Sequence, residues 1–178
     1  MAYAQAASTP PQTEQVETGF AEIGGQSHVA YSIRLMPVSS FPQLPVEVAR
    51  DLDGKGCMIP QTYEARAPEN VIHGSFEKKG SKDWAALCSV HGVSTLYVFF
   101  SSNLGHPIAL RSQPEKLWLG REWGEEYGSA WGISTRPARL MPAKVNADHD
   151  GIEDAFVEHS KEVRYFKEGR WITLDSTP

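Results

Sequence analysis

Strand-like patterns run through most of the chain. VSTLYVFF, residues 93–100, has apolar side chains on both faces, which is typical of a central strand covered on two sides. NVIHGSFE and DWAALCSV flank the turn KKGSK and indicate a second pair of strands. Near the C-terminus, EVRYF and RWITL flank Lys167-Glu168-Gly169, a short glycine-ended loop that favours a hairpin. These patterns predict antiparallel strands.

FPQLPVEVARDLDGKG is the best helix candidate. Pro45 suits the first turn, Val48 and Leu52 fall on one side, and two glycines follow. No period of about 20 to 50 residues recurs, which argues against a solenoid or a complete propeller. We therefore expect a mainly β or α+β protein, with a single antiparallel β-rich domain over residues 19–178 and one or two short helices.

Residues 1–18 have a different composition from the rest of the chain, because they are polar and contain prolines. Ala2-Tyr3-Ala4 and Ala4-Gln5-Ala6 resemble the small-x-small end of a secretory signal. This stretch is expected to be a disordered tail or the remnant of a signal peptide. The second interpretation predicts an exported protein, either secreted or periplasmic.

The chain has two cysteines, Cys57 and Cys88. In an exported protein an even number of cysteines predicts a disulfide. A bond closing a loop of about 30 residues stabilises a fold by roughly 3 to 4 kcal/mol in the chain-entropy model. Two alternatives remain open. Both thiols could be free and buried, or Cys88 and His91 could form half of a zinc site that Cys57 and His73 complete.

The balance of charge excludes some partners. The formal net charge is −5 at pH 7, whereas a nucleic-acid binder needs an excess of basic residues to neutralise phosphates. The same charge disfavours docking on an anionic membrane. No apolar stretch approaches the roughly 20 residues of a transmembrane helix. We therefore expect neither nucleic acid as a partner nor a transmembrane segment.

LGREWGEEYGSAWG, residues 119–132, places an apolar residue before a glycine at every fourth position. If the segment is extended, its large side chains point to one side and its glycines to the other. The rings could enter the core, or they could form an exposed platform that stacks on a sugar or a protein surface. The candidate ligand-binding residues of that platform are Trp118, Trp123, Tyr127, Trp131 and, at its rim, Glu125.

NADHDGIEDAFV, residues 146–157, spaces oxygen-bearing side chains around a glycine. Calcium needs six to eight oxygen ligands on a sharply turned segment. The candidate ligands are the side chains of Asn146, Asp148, Asp150 and Asp154, together with the carbonyl of Ile152. An EF-hand would need a glutamate at the twelfth position, which is Val157. A solvated turn without metal is the alternative, and in either case His149 is expected at the surface.

Residues 146–154 resemble the FG-GAP, or integrin-type, calcium loop, in which D-x-D-x-D-G-x-x-D leads into a β-strand. The resemblance implies a bound Ca²⁺ with a structural role. The family prefers aspartate where this chain has Asn146, and it repeats the loop in each blade of a propeller, whereas this chain has one copy. The remainder of the chain resembles uncharacterised secreted bacterial proteins.

Common catalytic motifs are missing from the sequence. It contains no G-x-S-x-G elbow, H-E-x-x-H helix, phosphate-binding loop or G-x-G-x-x-G turn. Glu125 and Glu126 are adjacent and would face opposite sides of a strand, which does not suit a carboxylate pair. We expect an exported, non-catalytic binding domain for a glycan or protein. The alternatives are a hydrolase whose site is assembled from distant residues and a subunit of an extracellular assembly.

Overall fold

The computed structural model describes residues 12–175. Its strands are β1 (Gln15–Ile23), β2 (Gln26–Pro37), β3 (Met58–Pro60), β4 (Val71–Gly74), β5 (Asp83–Val90), β6 (Val93–Phe99), β7 (Ile108–Pro114), β8 (Leu119–Gly120), β9 (Gly128–Ser129), β10 (Trp131–Arg136), β11 (Gly151–Phe156), β12 (Ser160–Lys167) and β13 (Arg170–Asp175). One α-helix, α1 (Val46–Gly54), and four short 3-10 turns complete the described fold.

The strands form two main sheets, and every paired strand in the described residues is antiparallel to its neighbour. The seven-stranded sheet has the order β1-β2-β3-β5-β6-β7, and β4 pairs with β5 beside β3. The four-stranded sheet runs β10-β11-β12-β13, and β8 and β9 form a small hairpin. The predicted antiparallel, β-rich fold with a minor helical part is confirmed.

β1 begins at Gln15, inside the stretch for which a tail is expected. It pairs with β2 along almost its whole length. The small-x-small tripeptides fall on residues 2–6, outside the described part of the chain. The signal-peptide interpretation therefore stays a prediction.

Two layers of side chains cover the central sheet. On one face, Leu87 and Leu96 pack against Trp131 and Ile152 of the four-stranded sheet. On the opposite face, α1 contributes a stripe that includes Val48. The helix follows Pro45, and a left-handed Gly56 comes shortly after its end, as its sequence predicts. The result is a sandwich of two sheets with one helix on the outside.

A disulfide joins Cys57, just after α1, to Cys88 in β5. The predicted pairing is confirmed. Because both sulfur atoms are used in this bond, the alternatives of free thiols and a zinc site are wrong. The bond fixes the end of the helix on the sheet that the helix covers.

Asn70 connects the two sheets through one buried side chain. Its Nδ2 donates to the carbonyl oxygens of Pro60 (2.7 Å) and Trp131 (3.1 Å), and its Oδ1 accepts from the Ile133 N–H at 2.9 Å. Asn70 also has a left-handed backbone (φ 68°), a conformation that asparagine tolerates better than most residues. The position of β4, which starts at the next residue, is thereby tied to β10.

Candidate functional site

The segment 119–132 is a hairpin and not one extended strand. β8 and β9 pair with each other, and the Glu125 N–H donates to the Glu122 carbonyl in the intervening turn. Gly124 has φ +83°, a left-handed conformation that favours glycine. The prediction of one aromatic face is therefore wrong, because the chain reverses direction between its rings.

Trp131 and Trp118 are packed and do not form a platform. Trp131 is 1% exposed, and its Nε1 donates to Asp154 at 2.7 Å. The ring of the half-buried Trp118 stacks on that of Trp131 with centroids 4.9 Å apart. The Arg111 guanidinium lies 4.5 Å from the centre of the Trp118 ring. Trp131 is therefore closed to any ligand, and Trp118 is half-buried against Trp131 and Arg111.

Two of the glycines in the repeat make room for Tyr63. A Cβ on Gly120 would lie 2.7 Å from Cε1 of the Tyr63 ring, and one on Gly128 would lie 3.1 Å from its Cβ. The Tyr63 hydroxyl donates to Glu158 at 2.9 Å. Burial of the phenol and this acceptor raise the pKa of Tyr63. Gly120 and Gly128 are thus explained by packing at the base of the hairpin.

Trp123 is the one predicted ligand-binding ring that stands free in solvent, with 100% exposure at the hairpin tip. Tyr127 is half-buried, and the Arg121 guanidinium lies 4.5 Å from its ring centre. Arg121 also donates to the Glu125 carbonyl, while the Glu125 side chain is exposed. The structure therefore keeps Trp123 and Glu125 of the predicted platform at one accessible surface.

Asp154 of the predicted calcium loop lies in β11 and is 2% exposed. Besides Trp131 Nε1, its carboxylate accepts hydrogen bonds from Arg111 Nη1 at 3.1 Å and Arg164 Nε at 3.0 Å. Two guanidinium groups therefore neutralise this buried charge, as burial requires. Ile152, the predicted carbonyl ligand, lies in the same strand between paired neighbours.

The other predicted calcium ligands face different parts of the molecule. Asp150 accepts from the N–H groups of Ser75 (3.1 Å) and Ala138 (3.2 Å). Asp148 lies 2.7 Å from His149 Nδ1, and Asn146 has a left-handed backbone. Among residues 12–175, no group of three or more His, Cys, Asp and Glu side chains could hold a metal ion. Calcium binding at this loop stays a prediction.

His149 is buried, which corrects the expectation of a surface residue. Its Nε2 lies 2.8 Å from the Phe166 carbonyl, so this nitrogen carries a proton. Its Nδ1 is shared between Asp148 and the Tyr165 hydroxyl at 3.0 Å. The hydrogen bond from His149 lowers the pKa of Asp148. These contacts attach the loop to β12.

A groove that the sequence analysis missed lies along β4. It is an open cavity of about 940 Å³ between β4, the segment before α1, and the start of β11. We call it the Trp84 groove. The side chains that matter for its chemistry are Gln43, His73, Ser81, Lys82, Trp84 and Asp150.

Two aromatic rings form one wall of the Trp84 groove. His73 and Trp84 are cross-strand partners in the β4–β5 pair, and their ring centroids lie 5.4 Å apart at an angle of 53°. The Thr135 hydroxyl donates to the His73 carbonyl at 2.8 Å and holds β4 beside β10. The rings therefore stand on a fixed backbone.

The polar side chains of the groove are available to a ligand. The side chains of Gln43, His73 and Lys82 make no hydrogen bond to any residue within 12–175. Asp150 is different, because both of its oxygens already accept backbone N–H groups. The groove thus combines an aromatic wall with uncommitted donors and acceptors, which is typical of small-ligand sites.

No sequence signal for this groove was available. Its residues lie between positions 43 and 150, and only the strand pair around KKGSK brings two of them together locally. No helix in the described part of the chain is long and apolar enough to cross a membrane.

No protein-family model, curated protein or solved structure matches this chain. The function is therefore inferred from geometry.

Proposed function

We propose that the protein is an exported, non-catalytic binding domain that holds a saccharide in the Trp84 groove. The observation that carries this proposal is the pairing of the Trp84 and His73 rings beside polar side chains without partners. The Cys57–Cys88 bond supports export, because disulfides persist in oxidising compartments.

The chemistry of the groove suits a sugar. The C–H face of a pyranose is apolar and packs against an indole, while its hydroxyl groups need donors and acceptors around the ring edge. Trp84 offers the flat surface, and the free side chains of His73 and Gln43 offer both donors and acceptors. A purely apolar ligand would leave these polar groups unsatisfied on binding.

The carboxylates around the groove support binding over glycoside hydrolysis. Hydrolysis of that kind uses two carboxyl groups that face one bond. Among residues 12–175, Asp150 is the one carboxylate that lines the groove, and its two oxygens accept from the N–H groups of Ser75 and Ala138. Incubation with oligosaccharides followed by chromatography checks this point. Released products would favour the hydrolase alternative.

Calorimetric titration with a panel of neutral and acidic hexasaccharides tests the proposal. We expect Trp84→Ala to weaken binding by about 30-fold, which corresponds to about 2 kcal/mol for a central aromatic contact. Trp123→Ala is the matched control and should bind like the wild type. His73→Ala, at an exposed position, gives a second variant if Trp84→Ala unfolds. If no saccharide binds the wild type, the proposal is wrong.

A second candidate function is docking of a protein partner on Trp123. The full exposure of Trp123 favours docking. Glu122, the residue before Trp123, forms an ion pair with Arg66 at 3.0 Å, which attaches the hairpin tip to the rest of the molecule. Glu125 and Glu126 lie beside Trp123, so the partner surface would be basic. Poly-L-lysine is a suitable probe. Binding that Trp123→Ala abolishes and Trp84→Ala leaves intact would support this function, whereas equal binding by both variants would reject it.

A further inference from the structure

Three lysines fall within five residues of the chain, just before β5. Lys78, Lys79 and Lys82 lie in the connection between β4 and β5, and all three are exposed. Lys82 lines the groove itself. None of the three side chains forms an ion pair or hydrogen bond with any residue of the described range 12–175. In a chain with a net charge of −5, this is a local concentration of positive charge.

The connection that carries the lysines is held in place by Asp83. This fully buried carboxylate accepts from the N–H groups of Phe76 (2.8 Å), Glu77 (2.7 Å) and Ser101 (2.8 Å). The Ser81 hydroxyl lies 2.7 Å from the Lys78 carbonyl and closes the turn. The lysine backbones are therefore ordered before a ligand arrives, which reduces the entropy lost on binding.

Two of the nearby carboxylates are committed to other groups. Asp83 and Asp150 accept backbone N–H groups, whose partial positive charges offset the carboxylates. Glu77 Oε1 accepts from the Ser102 hydroxyl at 3.0 Å, and its Oε2 is buried without a partner among residues 12–175. Lys78 lines a neighbouring pocket that also contains Asp148 and Glu168. Of the three lysines, Lys82 is therefore the one whose ammonium group belongs to the Trp84 groove.

We infer that the ligand of the Trp84 groove is an acidic saccharide whose sugar rings carry carboxylate groups. Trp84 would stack on the sugar ring, while Lys82 and its neighbours would pair with the carboxylates. This inference rests on the proposed function, because it names the class of saccharide that the same groove binds. It also predicts a dependence on salt, because exposed charges are screened within about 8 Å at physiological ionic strength.

The experiment compares hexagalacturonate with the same oligosaccharide after full methyl esterification, which removes charge and keeps the rings. Affinities are measured calorimetrically at low and high sodium chloride. We expect the wild type to prefer the acid by about tenfold at low salt, since exposed ion pairs contribute about 0.2 to 1 kcal/mol each. High salt should remove most of that preference.

A triple variant, K78Q/K79Q/K82Q, should bind the acid and the ester about equally. Its matched control is K116Q/K144Q/R170Q, which removes the same charge from exposed residues outside the groove lining and should keep the preference. If the wild type binds both oligosaccharides equally, or if the lysine variant keeps the preference, the inference is wrong and the proposed function stands. If the wild type binds neither, the inference is wrong, and the proposed function is wrong as well if the rest of the saccharide panel also fails to bind.

Discussion

Trp123 and Trp84 both reach solvent, but their surroundings differ in shape and in charge. Trp123 projects from a hairpin tip, directly after Glu122 and two residues before Glu125. Trp84 lies in a concave groove next to His73 and Lys82. A projecting ring is buried only when a partner protein encloses it. A ring in a groove has neighbouring side chains that can contact the same small ligand. Exposure alone is therefore a poor guide to a small-ligand site.

Residues that share one sequence pattern can also differ in their exposure to solvent. Trp123 and Trp131 occupy equivalent positions of the four-residue repeat, yet one is fully exposed and the other is in the core. The reversal of the chain at Gly124 causes this difference. A repeat in sequence thus does not define a surface unless the backbone between its members is continuous.

The largest expected effect is the difference in stability between Trp131→Ala and Trp123→Ala. We expect Trp131→Ala to lower the free energy of unfolding by about 3 to 5 kcal/mol, because it leaves a cavity and removes the Nε1 donor of Asp154. Trp123→Ala should change it by less than about 0.5 kcal/mol. Urea unfolding measures both. Similar losses in the two variants would show that Trp123 is packed.

The next prediction concerns the acid that holds the lysine turn of the groove. Asp83→Asn should cost about 2 to 3 kcal/mol, because an amide nitrogen would face backbone N–H groups that now have an acceptor. It should also weaken binding in the groove. Asp53→Asn, on the exposed side of α1, is the control for unfolding and binding. If Asp83→Asn lowers stability without weakening binding, the turn that Asp83 holds does not contribute to binding in the groove.

The base of the hairpin is tested by adding a methyl group. Gly120→Ala should cost about 1 to 3 kcal/mol, because its Cβ would lie 2.7 Å from the Tyr63 ring. Gly105→Ala is the control, since nothing lies within 4 Å of that position. Thermal unfolding of both variants measures the difference. A neutral Gly120→Ala would mean that Tyr63 moves away without cost.

Acidic groups near the hairpin predict a small pH effect. Burial and the charges of Glu158 and Glu122 raise the pKa of Glu64 above its usual value of 4.5. A raised pKa contributes stability below pH 4.5 that is lost as the pH rises through the folded-state value. Glu64→Gln should therefore raise Tm at pH 7, on the order of 1 °C, and not at pH 4. Glu126→Gln is the exposed control, and a rise at pH 4 alone would contradict the prediction.

The last prediction concerns the effect of calcium on the loop beside the groove. A site with a Kd of about 1 mM would add about 1.4 kcal/mol at about 10 mM calcium. Because Asp150 and Asp154 already have donors, we expect Tm to rise by no more than about 3 °C over the value in chelator. A rise of about 10 °C would mean that the carboxylates regroup around the ion. If Tm does not rise at all, the prediction that this loop binds calcium is wrong.

Local patterns predicted the elements well. The apolar pattern of residues 93–100 corresponds to β6, the C-terminal hairpin to β12 and β13, and the helix candidate to α1. Each depends on side chains within one element, whose spacing is visible in the chain. The disulfide could also be predicted, because the chain offers only one pair of cysteines.

The candidate site could not be predicted in the same way. Gln43, His73 and Trp84 come together only because β4 pairs with β5 and the segment before α1 lies beside them. The prediction of one aromatic face in residues 119–132 failed for a related reason. The geometry of that segment depends on a turn at Gly124 and on the distant ring of Tyr63. The aspartates of the acidic loop likewise have partners in other parts of the chain that their spacing does not reveal.

The hydrogen bonds by which Asn70 connects the two sheets limit how far the chain can be shortened while keeping the groove. A fragment ending at residue 117 would keep Trp84, His73 and Lys82. It would lose Thr135 and Asp150 from the groove lining, and Asn70 would lose its bonds to Trp131 and Ile133. β4 would still pair with β5, but it would lose the Thr135 hydroxyl that donates to the His73 carbonyl and holds it beside β10. The Trp84 groove is thus formed by the two sheets together and is not contained in either one.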